Sequence, residues 1–147
     1  MVEPFNLASS GRATTRLDED TLSRQPTIQP FYSTNALSGW HVTLLVQGET
    51  AKPLCLEITG RAVIGRPDEV DGFMPEIDLT QFNGRDKGVS RRHAEFVVID
   101  NRLHMRDLGS TNGTRLNGQL LYPNRDYRLS DGDLLQFGHL FVVIKLR

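Results

Sequence analysis

From Trp40 onward the chain breaks into short apolar runs separated by Gly, Asn, Asp and charged residues. The runs are His41–Val46, Leu54–Ile58, Arg61–Ile64, Ala94–Ile99, Leu103–Leu108, Leu134–Phe137 and Phe141–Leu146. They are short and rich in Val, Ile, Leu and Phe, which predicts strands rather than helices. Asn112-Gly113, Asn117-Gly118 and Asp131-Gly132 lie among them, and such pairs tolerate the positive φ of tight turns. The spacing predicts an all-β sandwich of about 100 residues, with no internal repeat.

Residues 1–39 have a different pattern. They hold ten Ser and Thr, with Pro4, Pro26 and Pro30, and no sustained apolar period. That composition predicts a flexible tail with a short helix around Leu17–Leu22. The expected organisation is therefore a tail over 1–39 and one domain over 40–147, which suits a chain of 147 residues.

Composition narrows the function. With 17 Lys and Arg against 18 Asp and Glu, the formal net charge is −1, which argues against the broad positive footprint of a nucleic-acid or membrane-surface binder. Cys55 is the only cysteine, which excludes an intrachain disulfide and a cysteine-rich zinc site and favours a reducing compartment. His41, His104 and His139 are scattered, so neither a metal nor a cofactor is expected. Met1-Val2-Glu3-Pro4 opens no secretory signal and no stretch is long and apolar enough to span a membrane, so a cytoplasmic protein is expected.

Three stretches carry candidate chemistry: Gly65-Arg66, Ser90-Arg91-Arg92-His93, and Ser110-Thr111-Asn112-Gly113-Thr114 with Asn117-Gly118. They offer an arginine, hydroxyls, turn amides and a side-chain amide, a donor set suited to recognising phosphate. Each stretch alone is an ordinary strand end, basic turn or hairpin signal; their joint occurrence is what carries weight. Gly60–Gly65 has the glycine spacing of a nucleotide-binding loop, but Arg66-Pro67 stands where Lys-Ser/Thr is needed. A Ser90/His93 hydrolase would need Asp86 or Asp107 as an orienting carboxylate, and no nucleophile elbow surrounds Ser90. An RNA-binding stripe of Arg85, Lys87, Arg91, Arg92, Arg102 and Arg106 is interrupted by Asp86, Glu95 and Asp100.

In their order and spacing, Gly65-Arg66, Ser90-x-x-His93, Ser110–Thr114 and Asn117-Gly118 resemble the signature of the forkhead-associated (FHA) family, over about residues 40–147. The resemblance implies a sandwich of about eleven strands whose loops at one end bind phosphothreonine peptides. It assigns Arg66, Ser90, Arg91 and Thr111 to the phosphate, Asn112 to the ligand backbone, and Gly65, His93 and Asn117 to support of the loops, with Gly65 letting the backbone turn just before Arg66. The position that some relatives use to read the third residue after phosphothreonine is Gly88, which has no side chain; nearby Arg85 and Lys87 suit an acidic ligand. The implied protein is a non-enzymatic adaptor in Ser/Thr-kinase signalling, resembling small bacterial FHA proteins. Its partner would be a phosphothreonine-containing protein, with a Ser/Thr kinase as a further partner. Thr14, Thr15, Thr21 and Thr27 are candidate phosphoacceptors through which the tail would bind its own domain. The alternative is a scaffold that keeps the fold and docks partners without phosphorylation.

Overall fold

The computed structural model describes residues 39–48 and 53–147. Eleven strands run through them: β1 Trp40–Val46, β2 Leu54–Ile58, β3 Arg61–Gly65, β4 Ile77–Asp78, β5 Arg92–Ile99, β6 Arg102–Asp107, β7 Thr114–Leu116, β8 Gln119–Leu120, β9 Tyr127–Arg128, β10 Leu134–Phe137 and β11 Leu140–Leu146. All seven expected strands are present, with ends shifted by at most two residues. The four additional strands, β4, β7, β8 and β9, are two or three residues long, too short to leave an alternating apolar pattern. A 3-10 turn, Thr80–Phe82, seats Phe82 in the core.

The strands form two sheets, ordered β2-β1-β11-β10-β7-β8 and β4-β3-β5-β6-β9. Most pairings are antiparallel; β3 and β4 are parallel. Alternation drives the inner faces together, as sandwich packing requires. Val42 and Leu44 of β1, Leu135 and Phe137 of β10 and Val142 and Ile144 of β11 meet Ala62 and Ile64 of β3, Ala94 and Phe96 of β5 and Leu103 and Met105 of β6 in one core. Glu95 lies on the outer face of β5 yet is only 2% exposed, because Arg61 and Arg106 pair with its carboxylate from the flanking strands.

Turns follow local chemistry. Asn117 and Gly118 both have positive φ and form the two-residue loop joining β7 to β8. Asp100-Asn101 does the same between β5 and β6, a turn that only the Asx tolerance of left-handed backbone could signal. At Asn112-Gly113 and Asp131-Gly132 only the glycine has positive φ, so these pairs are not hairpin turns of that kind.

Gly65 departs from its expected role. Its φ is not positive, so it is not needed to make the chain turn. The reason for glycine is space: a Cβ there would lie 1.9 Å from the Arg91 carbonyl oxygen and 2.7 Å from that of Ser90. At this point the β3–β5 register slips, pairing Ile64 with Ala94 but Gly65 with Arg92, so that His93 is an extra residue on β5. In strict alternation His93 would share the outer face with Glu95; the bulge instead brings it inward. Its ring is fully buried and meets Phe137 edge-on at 5.6 Å between centroids.

Gly65→Ala should therefore destabilise the fold by about 2–4 kcal/mol, because the obstruction is backbone and cannot rotate away. Urea unfolding would measure this, and an unchanged midpoint would show that the two strands do not approach so closely.

Candidate functional site

Three loops meet at the bulged end of the sandwich: the chain leaving β3 at Arg66, the segment before β5 from Arg85 to Arg91, and the β6–β7 loop from Leu108 to Gly113. Arg66 is half-buried and held twice. Its backbone N–H donates to the Arg91 carbonyl at 3.0 Å, and its Nε–H donates to the Val89 carbonyl at 2.6 Å. The guanidinium is thus aimed by the β5 approach, and among the described residues its two terminal nitrogens make no hydrogen bond and no ion pair.

The second and third loops are joined directly. Ser90 Oγ accepts the Thr111 backbone N–H at 3.1 Å, so the Ser90 hydroxyl keeps its own proton to donate. Asn112 donates from Nδ2 to the Gly88 carbonyl at 3.0 Å. Gly88 has φ 80°, and a Cβ there would stand 2.5 Å from Asn112 Nδ2, so the amide occupies the space a side chain would need. Thr111 and Asn112 are exposed, and Ser90 is half-buried.

Two buried polar side chains hold this arrangement. His93 Nδ1 accepts the Ser90 backbone N–H at 2.9 Å, which puts the ring proton on Nε2, where it donates to the Gly113 carbonyl at 2.9 Å. Desolvation pushes the imidazole pKa below its ordinary value of 6.5, against the opposing effects of the Gly113 carbonyl and Asp107. With both nitrogens engaged by backbone, the ring has no lone pair to take a proton from Ser90 Oγ, and the hydrolase geometry is not formed.

Asp107, considered from sequence only as a triad carboxylate, is the other brace. It is 2% exposed. Its Oδ2 accepts the Gly109 and Ser110 backbone N–H groups, and its Oδ1 accepts the Ser110 and Thr114 hydroxyls, each at 2.6 Å. Ser110 Oγ in turn accepts the Gly113 N–H at 3.0 Å. Because Asp107 ends β6 and Thr114 begins β7, their bond ties one sheet to the other beneath the loop. The signal in sequence is an Asx turn, with Asp followed at the third position by Ser.

Arg85 and Arg91 join the Arg66–Val70 segment in lining a shallow groove of about 230 Å³. Arg91 pairs with Asp68 at 3.2 Å. The Lys87 carbonyl accepts the His139 N–H at 2.7 Å, and Gly138 packs against that same backbone, so the loop before β5 is also latched to the β10–β11 turn. Asn117 is not brought to the cluster. It lies at the opposite end of β7, where its amide bonds Asp133 and the Leu134 N–H. Thr14, Thr15, Thr21 and Thr27 lie outside the described residues. Among the described residues no group of three His, Cys, Asp or Glu side chains is placed to hold a metal, and no helix is long and apolar enough to cross a membrane.

A two-sheet sandwich that braces an arginine, hydroxyls and exposed loop amides at one end defines a binding module. The FHA domain profile matches residues 62–138, more than half the chain, and the chain belongs to the FHA domain family. It is 31% identical over 109 residues to the FHA domain-containing protein FhaA of Mycobacterium tuberculosis, covering 74% of this chain and 18% of FhaA's own length. The crystal structure of the FhaA FHA domain, complexed with the intracellular domain of Rv3910, is 30% identical with a TM-score of 0.55, covering 71% of this chain and 99% of that one. A structure solved in a study of phosphothreonine-dependent FHA domain interactions is 29% identical with a TM-score of 0.57, covering 73% of this chain and 97% of that one.

The lowered pKa of His93 makes stability depend on pH. The unfolded histidine takes up a proton near pH 6.5 while the folded one resists, so its contribution is fully present above that value and is lost as pH falls through the folded pKa. Asp71, held down first by the Phe73 N–H, and Asp126, held down by Arg106, titrate only at lower pH. Urea midpoints should therefore fall between pH 7 and pH 5, and His93→Asn should flatten that fall while lowering stability at pH 8. A parallel pH profile in the variant would count against a neutral buried ring.

Proposed function

We propose that this chain is a phosphothreonine-dependent protein-binding module, an adaptor rather than an enzyme. The observation that carries the reading is the Arg66 guanidinium, anchored through Nε beside the Ser90–Thr111 junction with its terminal nitrogens uncommitted among the described residues. A phosphothreonine brings roughly −1.5 to −2 charges and three acceptor oxygens. The two Arg66 terminal nitrogens would take two oxygens in parallel, and the Ser90 and Thr111 hydroxyls would donate to the phosphate. Arg91 would add charge by exchanging part of its contact with Asp68 for the ligand. Asn112, already seated on Gly88, would hold the ligand backbone as an extended strand.

An acidic residue on the ligand would meet Arg85, which lines the same groove, with Lys87 two residues further on. The setting that fits these features is cytoplasmic Ser/Thr-kinase signalling, with a phosphothreonine-containing protein as partner and the kinase as a further one. The similarity to structures of FHA domains engaged in phosphothreonine-dependent interactions supports the ligand class.

Arg66→Ala should weaken phosphothreonine-peptide binding by roughly 2–5 kcal/mol with little change in stability, since the desolvated phosphate would lose its main cation. Arg66→Lys should restore only part, lacking the planar fork. Calorimetry with matched phosphorylated and unphosphorylated peptides checks both. Equal affinity for the two peptides would establish the alternative, a scaffold indifferent to phosphorylation.

The proposal extends to residues 1–39, where Thr15 is followed at the third position by Asp18, the spacing that would bring a carboxylate toward Arg85. A tethered self-ligand acts at high effective concentration and would suppress binding in trans. Phosphorylating the tail of the full chain should thus lower its affinity for an added phosphopeptide. No change at stoichiometric phosphorylation would remove the tail from the site.

A further inference from the structure

The segment between Arg66 and β4 is stiff for a surface loop. Asp68 and Phe73 form a β-bridge, and the Asp68 backbone carbonyl accepts the Gly72 N–H at 2.9 Å. Asp68 Oδ1 accepts the Val70 N–H at 3.0 Å, and Asp71 Oδ1 accepts the Phe73 N–H at 2.9 Å. From outside, Arg91 pairs with Asp68, Arg92 pairs with Asp71 at 3.1 Å, and the Arg92 guanidinium lies 3.9 Å from the Phe73 ring centroid. All this holds in place a tip whose apolar side chain, Val70, is 91% exposed.

A lone exposed valine is unremarkable by itself. Here it borders the groove that Arg66 and Arg91 also line, within reach of a residue flanking a phosphate held on Arg66. We propose that Val70 is a specificity-determining contact, packing against an aliphatic residue that flanks the phosphothreonine in the ligand. The proposal rests on the phosphopeptide reading of Arg66, Ser90 and Thr111. The bonds that hold the loop are already made without a ligand, so burial of aliphatic surface on Val70 costs little further ordering. Asp68 and Glu69 adjoin Val70 and disfavour an acidic residue at the same place, which separates this subsite from the one assigned to Arg85.

The test is a positional scan on the full chain. A fluorescent peptide with fixed phosphothreonine carries Ala, Leu, Lys or Asp at each flanking position in turn, and binding is measured to wild type, Val70→Ser and Val70→Thr. One position should favour Leu over Ala by roughly threefold or more in the wild type. That preference should disappear in Val70→Ser and shrink in Val70→Thr, which keeps the β-branched shape, while the all-Ala phosphopeptide binds all three proteins alike. Unchanged melting temperatures would place the effect in the contact. A Leu preference that survives Val70→Ser, a Lys preference at the Val70-dependent position, or no aliphatic preference anywhere would overturn the proposal and leave phosphate-dependent binding standing. If the wild type bound no phosphothreonine peptide, the underlying reading would fall and this inference with it.

Discussion

The single extra residue at His93 is the constraint on which the site end of the molecule depends. Without the register slip opposite Gly65, alternation along β5 would turn the imidazole to the outer face. Turned inward, it spans from the Ser90 N–H to the Gly113 carbonyl, two groups that belong to different loops. The slip in turn requires a glycine in β3, because the Arg91 carbonyl fills the space a Cβ would take. One missing methyl group on β3 therefore permits the placement of a ring on β5, and the ring fixes the separation of the loops. Burial costs a histidine little when it stays neutral and both nitrogens are bonded.

Charge is organised by contrast rather than by excess. The chain is nearly neutral, and among the described residues several arginines are paired: Arg61 and Arg106 with Glu95, Arg106 also with Asp126, Arg91 with Asp68, and Arg92 with Asp71. Arg66 is bonded instead to carbonyls, which orient it without neutralising it. A guanidinium left charged but immobilised gives more selectivity for a doubly charged oxyanion than a broad positive surface, because neighbouring charges do not attract polyanions in general.

Much of this was legible in the sequence, and what was not had physical reasons. The strands of four or more residues announced themselves through apolar runs, but β4, β7, β8 and β9 owe their existence to hydrogen bonds from neighbouring strands and carry no pattern of their own. The motif blocks brought Arg66, Ser90, Thr111, Asn112 and His93 into one region of the fold, whereas Asn117, adjacent to them in sequence, faces the far end of β7. Asp107 was visible only as one of two carboxylates from which a hydrolase triad would need one. Its importance comes from four donors converging on one buried carboxylate, a property of the tertiary arrangement. Gly65 was expected to let the chain turn, and its place depends instead on the missing side chain, since sequence cannot tell a glycine needed for its φ from one needed for the space a Cβ would fill.

Gly88 shows how support and recognition compete for space. Its left-handed backbone and the Asn112 amide lying 2.5 Å from any Cβ mean that the loop before β5 cannot acquire a reading side chain there without displacing Asn112. The hydrogen bond that positions Asn112 therefore removes one position from the set available for discriminating ligands. If the groove holds a phosphopeptide as proposed, selection beyond the phosphate falls to residues that border the groove without bracing it. Of the groove's lining residues, Arg66 is tied to Val89, and Arg91 and Asp68 to each other. The side chains of Pro67, Glu69, Val70 and Arg85 have no such bond among the described residues, and of these Arg85 is cationic and Val70 is apolar and exposed. A scaffold whose conserving interactions are made by backbone and buried polar groups thus leaves its variable chemistry to a few exposed side chains, which can change without altering the fold.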